Sequence, residues 1–85
     1  MQVTVLYFAA LRERIGRGRE ECTLPAGVET VDALRDWLVA RGDPWAASFG
    51  GLRAVRAAVD QSMARGDARL HEGAEVAFFP PVTGG

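Results

Sequence analysis

The sequence ends Val82-Thr83-Gly84-Gly85, a tail expected to present a free α-carboxylate with no side chain beside it. At neutral pH that group is ionised. As a carboxylate it is inert as an acyl donor, because oxide is a poor leaving group. Adenylation with ATP would activate it, and sulfur displacing the adenylate would make the terminus a sulfur carrier. Two glycines suit that use. Without Cβ atoms they can enter a channel too narrow for other residues and bring the carboxylate up to a phosphate unshielded. Gly84-Gly85 alone could equally be a frayed end with no role. What precedes it gives the tail a shape. An apolar strand beginning at Glu75 runs through Phe78-Phe79 into Pro80-Pro81, which lack N–H groups and lock φ. The sheet ladder should stop there and the chain should leave the body stiffly extended.

Other groups offer less. The sequence carries no paired carboxylates, metal-ligand spacing or phosphate loop that reads as a site, and metal ligands are expected to be none. His71 stands alone and is expected on the surface. Cys22, the single cysteine, cannot form an internal disulfide, which fits a reducing cytoplasm. It alternates with Leu24 toward the core and has no basic residue directly beside it, so inert packing is set against a redox or sulfur-relay role. All ten basic residues are arginine. An activated Gly85 would therefore meet no ε-amine in its own chain, only the N-terminal amine, although codon bias in a GC-rich genome would give the same composition. The formal net charge of −1 argues against a nucleic-acid binder of the electrostatic type. No apolar run approaches a membrane span and no basic leader precedes an apolar stretch, so neither anchor nor signal peptide is expected.

The elements that must position the tail follow from periodicity. Residues 2–8 alternate as a strand, with Val3, Val5 and Tyr7 on one face and Thr4, Leu6 and Phe8 on the other. A short helical turn over 9–15 stops at Gly16, and a second short strand covers 20–24. Thr30 is a good N-cap, with Asp32 in the first turn, for a main helix running to about Arg41. Its stripe is Val31, Leu34, Leu38 and Trp37, with Arg35, Asp36 and Arg41 facing water. Residues 44–51 are weakly patterned and suggest one helical turn pinned by Trp45. A third strand over 52–59, a tight turn at Asp60-Gln61 and a short strand around Met63 lead to the last strand. One helix on one face of a mixed sheet is an α+β arrangement. Arg12, Arg14, Arg17 and Arg19 form a basic cluster, readable as solvated loop charge or as a dock for an acidic partner. Phe8, Phe79 and Met63 should share the open face as an uncovered apolar patch beside the tail, which marks an interface unless loops cover it.

Phe78-Phe79-Pro80-Pro81-Val82-Thr83-Gly84-Gly85, Val3-Thr4-Val5-Leu6-Tyr7-Phe8-Ala9 with Leu11-Arg12-Glu13, Ala58-Val59-Asp60-Gln61 and Leu70 to Ala77 together resemble the molybdopterin synthase small-subunit family, MoaD, among the ubiquitin-like sulfur carriers. Residues 44–53 match it poorly. The resemblance implies a ubiquitin-like β-grasp over residues 1–79, with first and last strands side by side, and an extended tail over 80–85. It implies a carrier whose Gly85 is adenylated by an E1-like activating enzyme using ATP and magnesium, then thiocarboxylated. The sulfur would go to a cyclic pyranopterin phosphate in molybdopterin biosynthesis. On that reading Val82, Thr83 and Gly84 insert into the large subunit, and Phe8, Arg12, Met63, Phe79 and Pro80 contact the partner. The chain would be active only as the small subunit of a cytoplasmic heterotetramer, without a cofactor of its own. A carrier for thiamine, cysteine or tRNA thiolation, or a ubiquitin-like binding module that is never activated, stays open.

Overall fold

The computed structural model describes residues 1–52 and 54–81. Five strands form one mixed sheet in the order β2-β1-β5-β3-β4. β1 (Gln2–Tyr7) lies antiparallel to β2 (Arg19–Thr23) and parallel to β5 (Glu75–Phe79), which is antiparallel to β3 (Arg56–Val59). β4 (Ser62–Ala64) closes the far edge. First and last strands therefore sit side by side, with β5 in the middle. The sheet pattern alternates as expected: Val3, Val5 and Tyr7 of β1 and Val76 and Phe78 of β5 are buried on one face.

The main helix, α2 (Val31–Val39), covers that face with Val31, Leu34 and Leu38, all buried. Thr30 caps it, its hydroxyl accepting from the Ala33 N–H at 3.2 Å. Each fully buried leucine stabilises by roughly 1.5–3 kcal/mol, and truncation to alanine would cost about 2–5 kcal/mol. α1 (Ala9–Ile15) inserts Leu11 and Ile15 into the same core and ends at Gly16, whose φ of 87° is the left-handed turn that favours glycine. Ala9 itself has a φ of 51°, a conformation costly for a residue with a Cβ, where the chain turns from strand into helix.

Three expectations are corrected. Residues 45–51 form a complete short helix, α3 (Trp45–Gly51), pinned by Trp45 as expected and also by Phe49, which is buried edge-on against Phe78 at 5.3 Å between ring centres. β3 starts at Arg56 and not at Leu52, because Ala54 turns left-handed (φ 47°) and ends any extended run there. The main helix stops at Val39, two residues before Arg41. The turn at Asp60-Gln61 is as expected, with φ of 49° and 71° at its two residues.

Candidate functional site

Away from the helices, register brings Leu6 beside Ala77, Ala77 opposite Ala58, and Ala58 opposite Met63. This row crosses four strands and contains no charge. Phe8 continues β1 in extended conformation (φ −121°, ψ 155°), and its N–H donates to the Phe78 carbonyl at 3.1 Å, which sets it next to Phe79. Phe8 is 47% exposed and Met63 63% exposed, and they are the exposed large apolar side chains among the described residues. Phe79 is half-buried. It lines a shallow cavity of about 300 Å³ with Met63, Arg56 and Pro81. The expected patch of Phe8, Phe79 and Met63 therefore exists, and it lies where the chain leaves the sheet. β5 ends at Phe79, and Pro80 and Pro81 follow it, half-buried and outside the ladder.

Arg12 sits on α1, whose first turn hydrogen-bonds back to Phe8, so it is close to the patch in the chain. Its guanidinium, however, lies over Gly18, where an added Cβ would come within 3.1 Å of Nε. It lines a separate hollow with Glu13, Gly16 and Arg17 and is not among the residues around the cavity at the tail. Val82, Thr83, Gly84 and Gly85, together with Arg53, lie outside the described residues.

A second cluster, on the helix face, escaped sequence reasoning. Register puts Glu20 opposite Val5 and Cys22 opposite Val3, so both point under the helices. The Glu20 carboxylate accepts from the Tyr7 hydroxyl at 2.7 Å and from Arg41 at 2.8 Å, with Arg17 further off at 3.9 Å. Tyr7 Oη in turn accepts from Trp45 Nε1 at 3.1 Å. Arg41 lies between two indoles, 4.6 Å from the Trp37 ring centre and 4.7 Å from that of Trp45. The residue is exposed, as the helical stripe suggested, but its guanidinium is turned back onto Glu20 and the two rings. Arg35 departs from that expectation: it is half-buried and lies over Phe49 at 5.7 Å. The signal was present, since Trp37, Arg41 and Trp45 are spaced by four, but a helical reading treats that as a face and not as a stack.

Electrostatics follow from this packing. Burial pushes the Glu20 carboxyl upward, yet the donations from Tyr7 and Arg41 outweigh it and hold the group below the usual carboxylate range. Burial, with the Glu20 hydrogen bond, raises Tyr7 well above an ordinary phenol. The Cys22 thiol is pushed up to about 11, chiefly by burial and then by Glu20, even though Arg41 Nη2 stands 3.7 Å from Sγ. A basic group is thus beside this cysteine after all, and the thiol is still protonated at neutral pH. His71 is exposed as expected but not alone: its Nε2 meets Asp60 Oδ2, and Asp60 Oδ1 accepts from the Glu75 N–H at 3.0 Å. Among the described residues no group of three or more His, Cys, Asp or Glu side chains is placed to hold a metal ion. None of their helices is long and apolar enough to cross a membrane.

The ThiS family model matches residues 5–85. The molybdopterin synthase sulfur carrier subunit of Escherichia coli is 43% identical over 83 residues, covering 98% of this chain and 99% of that protein. The Haemophilus influenzae protein of the same name is 36% identical with the same coverage. SAMP1 from Haloferax volcanii superposes with a TM-score of 0.77 at 26% identity, over the full length of both chains. In a complex of subunits 1 and 2 of the molybdopterin-converting factor from Helicobacter pylori, one chain shares the fold (TM-score 0.66, 20% identity, full coverage of both). The sheet order and this likeness make the fold a ubiquitin-like β-grasp.

Proposed function

The chain belongs to the ThiS family and to its molybdopterin synthase sulfur-carrier branch, and from that premise we propose that Gly85 is the atom-bearing end of the carrier. An oxygen of its carboxylate attacks the α-phosphorus of ATP held by an E1-like enzyme, pyrophosphate leaves, and an acyl-adenylate results. A sulfur donor then displaces AMP, leaving a terminal thiocarboxylate. ATP and magnesium belong to the activating enzyme and not to this chain. The thiocarboxylate sulfur, anionic at neutral pH, is a stronger nucleophile than the oxygen it replaced. It is delivered to a cyclic pyranopterin phosphate inside the large subunit of molybdopterin synthase, which supplies the acid, base and substrate-binding groups. Activity therefore resides in the complex, in the cytoplasm where ATP is available.

The observation that carries this reading is the joining of strand, patch and tail. The central strand ends at Phe79 beside exposed Phe8 and Met63, and the proline pair starts the departure from the body. An uncovered apolar patch of this kind is what a partner surface desolvates. Residues 1–79 act as the body that docks, through Phe8, Met63, Phe79 and Pro80 with Arg12 at the margin. Residues 80–85 act as the arm, with Val82, Thr83 and Gly84 threading the partner's channel. Large subunit and activating enzyme would compete for the same face. Thiolation pathways other than molybdopterin would share the chemistry at Gly85, but the Phe79-Pro80-Pro81-Val82-Thr83 lead-in and the full-length identity to molybdopterin synthase subunits favour this one.

The test is the intact mass of the chain after incubation with an activating enzyme of this family, ATP and a sulfur source. Fragmentation must assign any gain, because oxidation of Met1 or Met63 adds nearly the same mass as exchanging oxygen for sulfur. Gain at the terminal glycine, and none in a chain lacking Gly85, is the expected result. No gain, with the enzyme active on a control carrier, would leave a binding module that is never activated.

A further inference from the structure

A groove of about 390 Å³ runs between the start of α2 and the β3–β4 hairpin, on the helix side of the sheet. Its floor is apolar, made by Val31, Ala57, Ala64 and the edge of Phe78, and its rim carries Arg35, Arg56 and Arg65 against the single carboxylate of Asp32. None of the ion pairs among the described residues uses any of these four side chains. The helix N–H groups nearby are already bonded, Val31 to the Ala68 carbonyl at 3.1 Å and Asp32 to that of Gly66 at 2.8 Å. Anion recognition here therefore falls to the guanidinium groups, which bind carboxylates through paired N–H donors. The groove is also continuous with the candidate interface. Arg56 and Met63 line both it and the cavity at the tail base, Arg56 standing opposite Phe79 and Met63 opposite Ala58 in the ladder.

We propose that this groove docks an extended acidic segment of the partner protein that receives the tail, its carboxylates on Arg35, Arg56 and Arg65 and an apolar side chain on the floor. The volume lies at the small end of ligand-sized clefts, roughly 300–1,000 Å³. That suits a short stretch of side chains better than a whole cofactor. Charge complementarity selects an acidic occupant, and the shared Arg56 and Met63 place it at the edge of the surface that Phe8 and Phe79 offer. The identity of the partner rests on the sulfur-carrier reading, whereas the binding chemistry does not.

The test uses the full chain, labelled with nitrogen-15, and a capped peptide alternating aspartate with leucine and phenylalanine, beside its asparagine counterpart. The aspartate peptide should shift the amides of Val31, Ala64 and Gly66 and the Nε–H signals of Arg35, Arg56 and Arg65, with affinity falling as salt rises. Arg56→Gln with Arg65→Gln, both exposed and so compatible with folding, should weaken it by about three- to tenfold, the scale of two exposed ion pairs. Absence of shifts at the groove overturns the proposal, as do equal shifts with the asparagine peptide or equal shifts around Arg12. A chain lacking Gly84 and Gly85 separates the remaining occupant. Groove signals that already change on that deletion would make the chain's own terminus the ligand and overturn the partner assignment, and unchanged signals support it. Sulfur gain at Gly85 reports independently on the carrier function, so either idea can fail without the other.

Discussion

Replacing Arg41 by alanine should be among the most damaging changes available outside the apolar core. The Arg41 side chain is 27% exposed and its partner Glu20 only 8% exposed, so the carboxylate end of the pair is withdrawn from water while the guanidinium end still meets it. Loss of a hydrogen bond to a charged group costs about 1.5–3 kcal/mol, and each of the two indole contacts adds about 0.5–1 kcal/mol. The full penalty for orphaning a buried charge, about 3–5 kcal/mol, is not reached, because Tyr7 still donates to Glu20. A loss of about 3 kcal/mol is therefore expected, and at about 4–8 °C per kcal/mol in a domain of this size the midpoint should fall by about 12–24 °C. Urea unfolding followed by tryptophan fluorescence measures it directly, since Trp37 and Trp45 flank the deleted group. A double-mutant cycle with Glu20→Gln isolates the pair. Acid gives a second check. Because the folded Glu20 carboxyl is held low, its contribution is present above about 4.3, the unperturbed glutamate value, and disappears as pH falls through the folded value. The Arg41 variant should lose less stability than the parent over that interval. A cost below about 1 kcal/mol with no coupling to Glu20 would refute the network as a stabilising unit. Thiocarboxylation of the folded variant should proceed normally, as the network is on the face opposite the docking patch.

Phe8→Asp or Met63→Asp should weaken association with the large subunit by tenfold or more, on the scale of about 1.4 kcal/mol per decade, while thermal stability changes little because both side chains are exposed; unaltered affinity would remove them from the interface. Cys22 should resist iodoacetamide at pH 8 in the folded chain and react on unfolding, its thiol being buried with a pKa of about 11; rapid folded-state alkylation, read by mass, would reopen a sulfur-relay role. The hydrogen bond to Asp60 raises His71 above an ordinary imidazole, so its contribution is full below about 6.5 and is lost as pH rises through its raised folded value, whereas Asp60 loses its share as acid titrates its lowered carboxyl. His71→Ala should flatten the alkaline decline, and a ring titration by NMR showing no upward shift would contradict the pair.

The elements bearing the tail were legible because their signals are local. Alternation in residues 2–8, Gly16 after Leu11 and Ile15, the Thr30 cap and the Pro80-Pro81 stop each act on neighbouring backbone, and the observed bounds follow them within a residue or two. Topology came from resemblance, since periodicity carries no information on which strands meet. The misreadings share a different cause. The Arg41 contact was missed because the helix was extended past Val39; once released, the chain turns and lays the guanidinium across β2, a contact spanning 21 residues. α3 ends in Gly50-Gly51, poor helix formers, and its burial of Phe49 depends on Phe78, far along the chain. Such long-range pairings override local preference. The cluster at the sheet's open face was found because its members lie on strands of regular alternation or, like Phe8, directly continue one.

Placing the tail on β5 has a mechanical consequence. The strand is laced on both sides, by four register pairs to β1 and four to β3. A pull along the arm, as when a partner grips the terminus, loads both ladders lengthwise, so bonds must yield together in shear and cannot unzip one at a time. An arm hung from β4, paired on one side over three residues, would peel. Lacing on both sides therefore sets the arm's anchor against a pull on the end better than an edge strand would.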